Sequence, residues 1–96
     1  MMKPPPTIDN ARVLKVADIR DIPATGKTRH VVQGRIVEGF VALAIARYER
    51  GEGVYLFYCD AEWNVVTDTH HDDIDWAIAQ AEFEFGRLKF VDVRDE

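Results

Sequence analysis

The chain holds a single cysteine, Cys59, in 96 residues, so no internal disulfide can staple it and its stability must come from packing. It has no apolar run near the ~18 residues that a membrane-spanning helix needs. Its opening residues, MMKPPP, include a lysine but no apolar segment after it, so no secretory signal is expected. Three of its four prolines are Pro4-Pro5-Pro6, so Pro23 alone interrupts the remainder. Together these absences predict a cytoplasmic protein that does not enter membranes.

Positive charge is also scarce. The net charge is −5 at pH 7, which argues against a nucleic-acid binder. The deficit is local. Residues 1–51 carry nine Lys/Arg against five Asp/Glu, whereas residues 52–96 carry three against twelve. Such asymmetry either marks an interaction face or is neutralised between the two halves within the fold.

What is present suits one small domain. The sequence is 47% hydrophobic and 30% charged, with two Trp, three Tyr and five Phe to build a core. Residues 1–10 read as an extended Pro-rich tail, and residues 11–94 as a single α+β domain. A strand is expected over Arg12–Asp18, with Val13, Lys15 and Ala17 on one face and Leu14 and Val16 on the other. Val31 to Val37 reads as a short hairpin or bulged strand about Gly34. The apolar stretches Phe40–Tyr48 and Val54–Cys59 flank a five-residue loop with two glycines and predict a β-hairpin. Val65–Thr69 adds a third strand after a turn at Asp60–Asn64. Asp73 is a natural N-cap, and Ile74, Ala77, Ile78, Ala81 and Phe85 recur at helical spacing before Gly86. A short strand over Leu88–Val93 ends the domain, and Arg94-Asp95-Glu96 form a tail. The fold expected is therefore an antiparallel sheet of four to five strands, a β-meander, with one main helix on one face and a short C-terminal strand.

Candidate chemistry is sparse. Gly26-Lys27-Thr28 matches the end of a phosphate-binding loop, but the glycine required five positions earlier is Asp21, so a turn is the simpler reading. His70-His71 with Asp68, Asp72 and Asp73 is the densest group of potential metal ligands. Neighbouring histidines diverge on regular structure, however, and a polar turn before a capped helix explains the same residues. Cys59 lies in an apolar strand, where cysteine is usually an inert small hydrophobe rather than a nucleophile. The carboxylates Asp60, Glu62, Asp68, Asp72, Asp73, Asp75, Glu82 and Glu84 read mainly as a solvated acidic face. Trp63, in a turn, is either an exposed anchor or a lid over the core. No cofactor and no metal site is assigned.

The stretches Tyr55-Leu56-Phe57-Tyr58-Cys59-Asp60, Trp63-Asn64, Thr67-Asp68-Thr69 and Gln80-Ala81-Glu82-Phe83-Glu84-Phe85-Gly86 resemble a family of small bacterial proteins that end in the same strand–turn–strand–helix pattern. Thr25-Gly26-Lys27-Thr28-Arg29-His30 extends the resemblance, which covers about half of the chain. That family has no assigned activity, so the resemblance implies no catalytic residues. In size, acidity and build the chain is also similar to small immunity proteins that neutralise toxins, a likeness of architecture alone.

Three functions follow as expectations. The first is a protein-interaction module, immunity-like or regulatory, docking a basic partner through Asp60, Glu62, Trp63 and Glu82. The second is a small enzyme or metal protein using the turn of Asp68, His70, His71 and Asp72. The third is a homo-oligomer, such as a homodimer, joined through exposed sheet edges.

Overall fold

Strand β5 (Ala42–Arg47) and strand β6 (Val54–Cys59) are apolar on both faces, and nearly every residue in them is buried. Strands covered on both sides belong at the centre of a sheet, and that is where they lie. The computed structural model describes residues 3–93. Its main sheet runs β1 (Thr7–Ile8), β2 (Ala11–Asp18), β5, β6, β7 (Val65–His71), with β8 (Val91–Asp92) beside β1 on the outer edge of β2. All pairings are antiparallel. Strands β3 (His30–Val32) and β4 (Arg35–Val37) form a separate two-stranded ribbon. Helix α1 (Ile74–Phe85) connects β7 at one edge of the sheet to β8 at the other, so it crosses one sheet face.

The alternation of β5 and β6 divides the core in two. Leu43, Ile45, Val54, Leu56 and Tyr58 pack under α1 against Ala77, Ala81 and Phe85. Ala42, Ala44, Ala46, Phe57 and Cys59 line the opposite face with Ile8, Val13, Val16 and Trp63. Three alanines in a row on that second face leave room for the sheet to curl around the Phe57 and Trp63 rings.

The expected α+β architecture holds at this level: an antiparallel sheet, one helix and a short terminal strand. Three details of the sheet differ from the sequence reading. The predicted tail is only partly a tail. Asp9 and Asn10 take φ of 49° and 69°, the geometry of a two-residue hairpin turn, and bring Thr7 and Ile8 back against Arg12 and Ala11. Ile8 is buried, so the sheet begins before residue 11. The predicted facing of β2 fails at Leu14. A register shift between Val13 and Lys15 makes a β-bulge there, which places Val13 and Val16 on the same face. Strand β7 also runs on through His70 and His71, where the sequence predicts a turn. The predicted tail residues 1–2 and 94–96 lie outside the described residues.

The helix follows its sequence signals. The Asp73 side chain accepts from the Trp76 amide at 2.9 Å, and the Gly86 amide donates to the Glu82 carbonyl at 2.8 Å. The 3–4 ribbon turns at Gln33-Gly34 with φ of 52° and 77°, again the two-residue hairpin geometry. Among the described residues no helix is long and apolar enough to cross a membrane.

Candidate functional site

The residues expected to form a partner face, Asp60, Glu62, Trp63 and Glu82, are not gathered on one surface. Asp60 is occupied within its own turn, accepting from the amides of Glu62 and Asn64 at 2.9 Å each and from the Asn64 side chain at 3.1 Å. Those bonds hold its carboxyl below the usual carboxylate range, the Asn64 amide contributing most. The tight turn puts Trp63 in the left-handed region, φ 66°, and swings its ring into the core, where it is 4% exposed. It packs on the sheet face opposite the helix that carries Glu82. Glu62 is exposed, and half-buried Glu82 accepts from the Leu88 amide at 3.3 Å.

The histidine pair separates for the same kind of reason. Successive residues of β7 face opposite sides. His70 stands on the Tyr55 side, its ring 4.9 Å from that of Tyr55 and its Nε2 2.7 Å from the Glu52 carbonyl. His71 faces the helix side and meets the Thr69 hydroxyl at 2.7 Å. Burial and then the charge of His70 lower the His71 pKa. Among the described residues no group of three or more His, Cys, Asp and Glu side chains could hold a metal ion. Cys59 is fully buried, and burial pushes its thiol up to about 12, far from a reactive thiolate.

Glu84, expected on the solvated acidic face, is instead inside the protein. It is 3% exposed, on the buried side of α1. Its Oε1 accepts from the Thr28 hydroxyl at 2.6 Å and from His30 Nε2 at 2.5 Å. Its Oε2 accepts from the Gln80 amide at 3.0 Å and from the Tyr58 hydroxyl. Burial alone raises the Glu84 pKa, but the four hydrogen bonds outweigh it and the net shift is downward. Burial and the bond to Glu84 raise Tyr58, which stays neutral. The carboxylate therefore only accepts, and the proton between it and His30 belongs to the histidine.

This cluster forms part of the wall of a cavity of about 730 Å³ that Ile19, Ile22, Ile36 and Phe40 also line. A histidine held in one tautomer by a buried carboxylate beside a cavity is how a general base is presented. Here the carboxylate is shared among four donors, which fill its lone pairs. The neighbouring contacts all fasten the 24–30 loop to the end of α1. The Thr25 amide and hydroxyl donate to the Glu84 and Phe83 carbonyls at 2.7 and 2.9 Å, and Lys27 Nζ lies 5.2 Å from the centre of the Phe83 ring. The cluster works as a buried anchor for that loop.

The outer face of α1 is different. Trp76 is 64% exposed and Phe83 48%. With about 100° of turn per residue, Trp76, Ala79 and Phe83 fall within an arc of about 60°, directly opposite Ala77, Ala81 and Phe85. The helix is thus apolar on two sides, one of which the fold does not cover. Exposed Asp72 and Asp75 border that stripe at its start, and Lys27 and Arg87 lie at its end. A smaller apolar pair, Val31 and Ile36, lies across the 3–4 ribbon, 61% and 57% exposed, with Ile36 at the rim of the cavity.

No protein-family model matches the sequence, and neither does any curated protein or solved structure. None of these comparisons bears on the expected resemblance to small bacterial proteins.

Proposed function

We propose that the chain is a protein-interaction module that docks a partner through the outer face of α1. One observation carries this reading: two large aromatic side chains, Trp76 and Phe83, are left exposed seven residues apart on one line of a helix whose other side is already the core. Isolated exposed apolar residues are ordinary, but aligned aromatics within a charged border are the usual anchors of an interface. The acidic start of the helix favours a partner with basic groups beside an apolar patch, because charge of opposite sign speeds encounter. The docking face is thus the helix itself rather than the Asp60–Trp63 turn.

The test compares what wild type and a Trp76→Ser/Phe83→Ser double variant retain from a cell lysate, at low and high salt. The reading expects a specific partner bound by wild type and lost from a variant that is still folded by circular dichroism. A partner retained equally by both contradicts it.

A further inference from the structure

We infer that the partner on this helix face is a second copy of the chain, paired about a two-fold axis with the two α1 helices antiparallel. The inference rests on the docking reading above and adds the identity of the occupant. It follows from the internal symmetry of the stripe. Trp76 and Phe83 are about 10.5 Å apart along the axis at 1.5 Å per residue, and Ala79 lies near their midpoint. Two such stripes laid antiparallel set Trp76 against the partner's Phe83 at one end and Phe83 against the partner's Trp76 at the other. Ala79 meets its own copy at the two-fold, where a small side chain permits the 8–10 Å axial separation typical of packed helices, about the closest usual approach. A two-fold interface requires such a self-complementary patch.

The charges obey the same symmetry. Exposed Asp72 and Asp75 mark the start of the stripe; beyond its end come exposed Arg87 and Lys27, whose Nζ lies 5.2 Å from the centre of the Phe83 ring, while half-buried Glu82 in the last turn is taken up by the Leu88 amide. Antiparallel pairing brings the acidic end of each copy to the basic end of the other, whereas parallel pairing sets like charges together. The opposed helix dipoles favour the same arrangement. A helix of 12 residues is about 18 Å long and cannot by itself bury the ~1,600 Å² of a standard interface, so the dimer is expected at micromolar concentrations rather than nanomolar.

The experiment is sedimentation velocity on the full chain from about 1 µM to about 1 mM, a range that brackets such an affinity. The expected result is a reversible monomer–dimer equilibrium. Trp76→Ser should weaken it roughly tenfold or more, with an unchanged circular dichroism spectrum because the side chain is exposed. Arg87→Glu should weaken it too, and adding Asp72→Lys to Arg87→Glu should restore it, since the register that sets Trp76 against Phe83 also sets position 72 against position 87. A chain monomeric throughout that range overturns the inference, as does a dimer indifferent to Trp76→Ser. If the chain is monomeric but a foreign protein is retained only by wild type in the lysate comparison, the docking face stands without the self-pairing. If neither is seen, both fall.

Discussion

Tyr58, in the central strand β6, donates its hydroxyl hydrogen to Glu84, in the last turn of α1, and so joins sheet and helix through a buried carboxylate. Thr28 and His30 bring the loop before the 3–4 ribbon to the same group. Removing the charge should cost more than removing any single donor. Glu84→Gln turns an NH2 toward one pair of donors, Tyr58 and Gln80 or Thr28 and His30, and should destabilise the fold by about 3 kcal/mol, whereas Tyr58→Phe should cost about 1–2 kcal/mol. Urea denaturation of the two variants measures both. Equal, small losses would show that the carboxylate is not the anchor.

The same pair contributes to stability at both ends of the pH range. The folded pKa of Glu84 is lowered, so its contribution is present above its ordinary value of 4.5 and is lost as pH falls through the folded value. The folded pKa of Tyr58 is raised, so its contribution is present below its ordinary value of 10.0 and is lost as pH rises beyond it. Melting temperature against pH should therefore fall at both extremes. The acid decline should be shallower in Glu84→Gln, and the alkaline decline shallower in Tyr58→Phe. An acid limb of the same slope in Glu84→Gln contradicts the assignment.

Much of this architecture is legible in the sequence because it depends on local rules. The Asp73 cap, the Gly86 stop, the hairpin about Gly34 and the two-sided β5–β6 pair all carry short-range signals. The burial of Glu84 was legible too, and overlooked. It falls seven and three residues on from Ala77 and Ala81, in phase with the buried stripe, so its face was given even though its charge suggested water. The bulge at Leu14 was not legible, since it is fixed by pairing with β5, about 30 residues away in the chain. The burial of Trp63 as a lid on the core was among the sequence expectations, but the left-handed backbone that turns it inward was not, since side chains of its size rarely adopt it.

Gly53 should be irreplaceable where another turn glycine is not. Both Gly53 and Gly34 have positive φ, 72° and 77°. A Cβ at Gly34 meets nothing within 4 Å, but one at Gly53 collides with the His71 carbonyl oxygen and lies 2.9 Å from His70 Nε2. Gly34→Ala should cost about 1 kcal/mol for its backbone alone, and Gly53→Ala at least about 2 kcal/mol more because β7 must shift. Thermal melts of both variants decide it, and similar losses would show that the β7 edge yields easily.

Cys59 should be inert. Its thiol is buried and held at a pKa of about 12, so a thiol reagent should label native protein only as fast as the chain opens, and denatured protein at once. Cys59→Ala should fold with a loss of about 1–2 kcal/mol from the vacated volume. Rapid labelling of the native state would mean that the Ala42–Ala46 face is open to solvent.

The central claim, that the outer face of α1 is the docking surface, is tested most directly by the two tryptophans. Trp63 is 4% exposed and Trp76 64%. In Trp63→Phe the only fluorescent indole is therefore the one on the docking stripe. Acrylamide quenching of Trp76 should be strong in the dilute monomer and fall sharply in whatever complex the protein forms, with its own copy or with another protein. A complex in which Trp76 is quenched as readily as in the free monomer contradicts the account.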